Sequence, residues 1–251
     1  MKIKISILAV FIALTSFSYA QQFIDKATIE FEVKTNVKKS IGSGGWASML
    51  KDKLPEFSTK YYNYTFADNK SIYQFDRWAA GPRLPDFMNR GEEDNAWYYN
   101  FVDQKMNKQK SVFGTSFVIV DSIPPIEWKL TNESRLIAGF NCRKAVGKVM
   151  DSVYVFAFYT DEITISGGPC SINGLPGMIL GLTIPRVYTS WIATKVMVNN
   201  VEVKNIKPIS SKKNYSSKLF NSTLDERLKE FSGSSEDDKQ WREQMYWNGL
   251  L

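Results

Sequence analysis

The chain has 251 residues, 32 Lys and Arg against 26 Asp and Glu, a formal charge of +6, two cysteines and no histidine. The missing histidine removes the commonest general base, the usual triad base and the commonest transition-metal ligand. The basic residues are scattered or merely paired, as at Lys38-Lys39 and Lys212-Lys213, which excludes the clustered stripe of a nucleic-acid binder.

Residues 1–20 read as a secretory signal: Lys2 and Lys4 supply charge, Ile5 to Leu14 an apolar run, and Ser18-Tyr19-Ala20 a small-x-small cleavage site. The run is shorter than the ~20 residues of a membrane span. No cysteine follows it for lipid attachment, and no later stretch is apolar enough to cross a bilayer. The expectation is a periplasmic or secreted protein whose residues 21–251 form one domain, with a helical tail from about 219.

From Ala27 to Lys34 the sequence ATIEFEVK alternates with period two, as a half-buried strand does. Similar runs follow at Thr59 to Ala67, Ser71 to Phe75, Ala96 to Val102, Val112 to Val120 and Ser134 to Ile137, then at Cys142 to Val149, Val153 to Tyr159, Met178 to Thr183 and Tyr188 to Val198. Short breaks at Asp68-Asn69, Gly139-Phe140 and Asp151-Ser152 predict hairpins. The fold class is therefore all-β or β-rich, with sequential strands paired antiparallel.

Two helices are expected, over Trp46 to Lys53 and over Leu224 to Phe231 with Ser222 as cap. Arg77 to Asp94 and Asn205 to Lys218 read as irregular. The tail from Gly233 places Trp241, Met245, Tyr246 and Trp247 on a helical stripe, for packing on its own domain or for a partner.

The most specific string is Gly174-Leu175-Pro176-Gly177-Met178-Ile179-Leu180, preceded by Gly167-Gly168-Pro169. With Ile137-Ala138-Gly139-Phe140-Asn141-Cys142-Arg143-Lys144-Ala145 upstream, it resembles the GLPGLI family of exported bacterial proteins, Met178 standing where that motif has leucine. The resemblance implies a single curved antiparallel sheet, a half-barrel similar to the periplasmic lipoprotein carriers, and it brings no established catalytic or ligand-binding residues. Read physically, Gly174 and Gly177 permit positive φ while Pro176 fixes its own φ and keeps Leu175 extended. The segment is expected to be a structural corner that buries Leu175 and Met178. A phosphate cradle would need a following helix, and MILGLTI is β-like.

Export would place Cys142 and Cys170 in an oxidising compartment, so a Cys142–Cys170 disulfide is expected, with two inert buried thiols as the alternative. Closing a loop of ~30 residues would stabilise the fold by about 3–4 kcal/mol. No nucleophile elbow, cofactor motif or EF-hand pattern is present in the sequence. Two carboxylate groupings remain for glycosidase-like chemistry, Asp161-Glu162 and Glu92-Glu93-Asp94.

Aromatic residues from Tyr61 to Tyr99 crowd one third of the chain, and Tyr62, Tyr64, Tyr73, Trp78, Trp97 and Tyr99 are the candidate lining of a ligand site, with ordinary core packing as the alternative. The leading expectation is a non-enzymatic binding or scaffolding protein of the cell envelope, for an amphiphilic ligand, a peptide or an outer-membrane partner. A histidine-free hydrolase with paired carboxylates and a purely structural component are the alternatives. Two carboxyl groups facing one cavity would favour the enzyme, and an apolar groove the binder.

Overall fold

The computed structural model describes residues 23–42, 49–82, 84–89, 91–150, 152–199 and 201–250. The signal-like segment and the start of the Trp46–Lys53 helix lie outside these; residues 49–51 are helical.

Twelve strands are formed: β1 (Ala27–Asn36), β2 (Phe57–Ala67), β3 (Lys70–Trp78), β4 (Ala96–Asn100), β5 (Lys105–Val112), β6 (Thr115–Ser122), β7 (Glu127–Ile137), β8 (Phe140–Val149), β9 (Val153–Thr160), β10 (Met178–Ile184), β11 (Thr189–Met197) and β12 (Asn214–Tyr215). They make one open sheet in the order β12-β6-β5-β4-β3-β2-β1-β11-β10-β9-β8-β7. Two meanders, β1 to β6 and β7 to β11, are therefore joined where β1 pairs with β11, and β7 and β12 stand at the two ends. The pairing is antiparallel throughout except at β12, which lies parallel to β6, a departure from the all-antiparallel expectation.

Tight turns set the hairpins. Asp68 and Asn69 both have positive φ (52° and 56°), as do Ala138 and Gly139 (49° and 88°), the geometry that matches the twist of paired strands. The second turn thus falls one residue before the Gly139-Phe140 break read from sequence, and Phe140 already opens β8. A third such turn, Phe113-Gly114, cuts the expected Val112–Val120 strand in two and separates β5 from β6.

One face of the sheet carries the main core. Period two sends Ala27, Ile29, Phe31 and Val33 of β1, Tyr62, Tyr64 and Phe66 of β2, and Val153, Val155, Ala157 and Tyr159 of β9 into it. Burying a side chain of this size stabilises by about 1.5–3 kcal/mol. At the β6 end, two helices cover the same sheet: α1 (Ser217–Phe231) and α2 (Glu236–Leu250). Phe220, Leu224 and Leu228 of α1 and Trp241 and Leu250 of α2 pack on Phe117 and Ile119. Helix α1 starts earlier than Leu224 because Ser216, not Ser222, is its cap, accepting from the Leu219 N–H. The aromatic tail packs on its own chain.

Candidate functional site

A cavity of about 400 Å³ opens between the sheet and α2. Val33, Ser58, Lys60, Tyr62, Tyr73, Trp97, Lys110 and Trp191 face it from the strands, and Trp241, Met245 and Asn248 from α2. Lys110 on β5 and Trp191 on β11 stand five strand positions apart in the sheet, so both reach one cavity only because the sheet bends around it.

The aromatic wall follows from strand alternation and register. Tyr62 and Tyr73, on adjacent strands, stack with centroids 4.7 Å apart and planes 14° from parallel. Trp97 of β4 approaches Tyr73 at 5.4 Å and Tyr62 at 6.2 Å. Such pairs contribute about 0.5–1.5 kcal/mol beyond the area they bury. The Tyr73 hydroxyl lies beside the Trp191 indole and the Cys170 thiol, and burial raises its pKa.

The charged part of the wall is built by β2, β5 and the short turn Glu92–Asp94. Gly91, at φ 82°, starts that turn where a Cβ would lie 1.9 Å from Ser111 Oγ, so only glycine brings the turn this close to β5. The Ser111 N–H donates to Asn95 Oδ1 at 2.8 Å and fixes the other side of the turn. Glu92 is thereby held over β2, where its Oε1 accepts from Tyr62 Oη at 2.5 Å and from Lys60 Nζ. Burial alone would raise the Glu92 pKa, but Lys60 and Lys110, with the two hydrogen bonds, outweigh it and hold it at about 2. Lys110, its Nζ 5.4 Å from the Trp97 ring centroid, has its own pKa lowered by burial, with Glu92 opposing.

Of the six aromatic residues expected to line a ligand site, Tyr62, Tyr73, Trp78 and Trp97 line this cavity. Tyr64 and Tyr99 do not, because the loop between β9 and β10 covers them. Tyr99 Oη donates to the Cys170 carbonyl at 3.0 Å, and Gly167 sits against the Tyr64 hydroxyl, where a Cβ would be 2.1 Å from it. That loop buries Ile163, Ile165, Ile172 and Leu175 in the main core. Gly174 and Gly177 have φ of 89° and 137°, and Leu175, Met178, Ile179 and Leu180 are all at most 1% exposed. Pro176 stands between the two glycines, next to the Gly177 N–H that bonds the Leu175 carbonyl at 2.8 Å. Gly177 packs on the Thr160 backbone, the Thr160 carbonyl only 2.1 Å from where a Cβ would stand.

The expected disulfide is absent: Cys142 and Cys170 are both free and buried. Cys142, on β8, lies near Glu162 and the Ile137 backbone, whereas Cys170 faces the cavity among Tyr73, Lys110, Lys60 and Glu92. Burial pushes the Cys170 thiol up to about 11, with Lys110 and Lys60 opposing, which leaves almost no thiolate at neutral pH. It is not an activated nucleophile.

Nor do the two carboxylate groupings converge. Asp161 pairs with Arg143 on the surface at 3.0 Å, while Glu162 lies by Thr160. Glu93 accepts from Trp78 Nε1 at 3.0 Å, and Glu92 is the one carboxylate among the described residues lining the cavity. Lys60 and Lys110 escaped the sequence reading because lysine at an inward strand position mimics a polar, outward one. The signal for Lys110 was the alternation Met106-Lys108-Lys110-Val112 on β5, and for Lys60 the alternation Lys60-Tyr62-Tyr64-Phe66 on β2.

The GLPGLI resemblance is borne out by a family model described as "Protein of unknown function (Porph_ging)", which matches residues 147–181. No curated protein matches the chain. Among solved structures it is similar to PNGF-II in space group P21, with a TM-score of 0.50 and 14% identity over 76% of this chain and 32% of that one. The C2 form of PNGF-II gives a TM-score of 0.46 at 14% identity, over 89% of this chain and 33% of that one. The chain thus spans about a third of the PNGF-II chains, and the likeness concerns the fold alone. Among the described residues, no helix is long and apolar enough to cross a membrane.

Proposed function

From a chain that matches the GLPGLI family over residues 147–181, we propose an exported, non-enzymatic binding protein whose aromatic cavity holds a small apolar or amphiphilic ligand. The observation that carries this reading is the cavity of about 400 Å³ with Tyr62, Tyr73, Trp97 and Trp191 on its wall and a single carboxylate, already paired, among them. This is the usual make-up of a ligand pocket, an apolar lining with a few placed polar groups. A carboxylate-pair hydrolase finds no second acid among the described residues lining the cavity, and burial keeps the Cys170 thiol protonated at neutral pH. Export rests on the pattern of residues 1–20, and residues 21–251 are taken as one functional unit.

The test is to recover the protein from its own host's envelope and compare it by native mass spectrometry with Ser58→Trp, whose indole would fill the cavity. A bound small molecule on the parent chain, absent from the variant, supports the reading. Equal adducts on both, or none on either, would reject it.

A further inference from the structure

Several polar groups that the cavity leaves uncommitted can donate. Lys60 is taken by Glu92, and the Trp78 indole by Glu93. Among the uncommitted groups are those of Lys110 and Trp97. Lys110 lines the cavity, and among the described residues no carboxylate is in ion-pair contact with it. Trp97, whose ring Lys110 approaches at 5.4 Å, is 2% exposed and its indole N–H has no hydrogen-bond partner. An ammonium and an indole N–H can only donate, and leaving either buried and unpaired is costly. The charge count agrees, because among the described residues lining the cavity Lys60 and Lys110 face Glu92 alone, and Cys170 stays a neutral thiol.

Resting on the binding reading above, we propose that this cavity selects a ligand with one anionic head group, a carboxylate-like or sulfonate-like acceptor, on an apolar body. Lys110 and Trp97 hold the head, and the Tyr62–Tyr73 stack with Trp191 holds the body. A monoanion cancels the excess charge and accepts from both donors, whereas a neutral apolar molecule leaves both unpaired. A cationic ligand would meet Lys110 with repulsion.

Two fluorescent probes that differ by one anionic group test this: anilinonaphthalene sulfonate and its uncharged parent, N-phenylnaphthylamine. Each is titrated into the full chain, Lys110→Met, Lys110→Arg and Ser58→Trp, with circular dichroism to confirm folding. The parent chain should bind the sulfonate about tenfold or more tighter than the neutral probe. Lys110→Met should erase that preference while keeping the neutral probe's affinity, and Lys110→Arg should retain it. If Lys110→Met fails to fold, the preference of the parent chain and its survival in Lys110→Arg decide the matter. Neutral and anionic probes bound equally by the parent chain, or an unchanged preference in folded Lys110→Met, would overturn the proposal. In either case, binding lost in Ser58→Trp would leave the cavity reading standing. Binding indifferent to Ser58→Trp would remove both.

Discussion

The Tyr62 hydroxyl donates to Glu92 Oε1 at 2.5 Å, tying the middle of β2 to a three-residue turn that lies 30 positions later in the chain. Lys60 reaches the same oxygen, so one carboxylate orders two cavity-facing side chains of β2.

Replacing Glu92 by Gln should destabilise the fold at neutral pH by about 2–3 kcal/mol, since it leaves Lys60 and Lys110 without their counter-charge. The folded-state pKa of about 2 lies below the ordinary 4.5, so the stabilisation is complete above pH 4.5 and is lost as pH falls through 2. Urea unfolding of both chains from pH 7 down to 2.5 should show the gap narrowing. A constant gap would mean that Glu92 acts through shape rather than charge.

Lys108 gives a second window, of the same sign but on the alkaline side. It is buried, its Nζ donates to the Leu250 carbonyl at 3.0 Å, and burial, with Lys110 adding, pushes its pKa down to about 7 from 10.5. Between those values the unfolded chain binds a proton that the folded chain does not. This group therefore adds stability as pH rises from 7 to 10.5, and that contribution is lost as pH falls through 7. Relative to Lys108→Met, the parent chain should gain on the order of 2–3 kcal/mol between pH 7 and pH 10. Parallel stability curves for the two chains would contradict it.

How much of this was legible depended on what each strand turned inward. ATIEFEVK and the Tyr62-Tyr64-Phe66 alternation carry their face openly, so β1 and β2 and their place in an antiparallel sheet could be read directly. Strand β5 hid because Lys108 is buried and Lys110 turns toward the cavity, and the merged Val112–Val120 strand hid because Phe113 adopts the left-handed conformation usually left to glycine or asparagine. Tyr62 and Tyr64 are both inward, and nothing local tells which one faces the cavity. The loop that covers Tyr64 and Tyr99 comes from far along the chain, Cys170 lying 71 residues beyond Tyr99, and the surroundings of Cys170 differ from those of Cys142 for the same reason.

With both cysteines free, the unfolded protein, never exposed to reductant, should titrate two thiols, and the folded protein should react far more slowly with the same reagent. Burial holds Cys142 up at about 12 and Cys170 at about 11, which disfavours the thiolate at both sites. No reactive thiol after unfolding would mean that the two are bridged.

Gly177→Val should cost about 2–4 kcal/mol, measured by chemical denaturation, because φ is 137° and the new Cβ would stand 2.1 Å from the Thr160 carbonyl. Pro176→Ala should cost less, about 1 kcal/mol, since it relaxes the unfolded chain without a clash. Equal costs would show that the Thr160 contact does not govern the corner.

The most direct measurement is a crystal structure of the protein purified from its native envelope, at a resolution that shows a bound small molecule. Density for a molecule against Tyr62, Tyr73 and Trp97, with an acceptor group on Lys110, is the predicted result. A ligand bound on another face, or a cavity holding only water, would contradict the account.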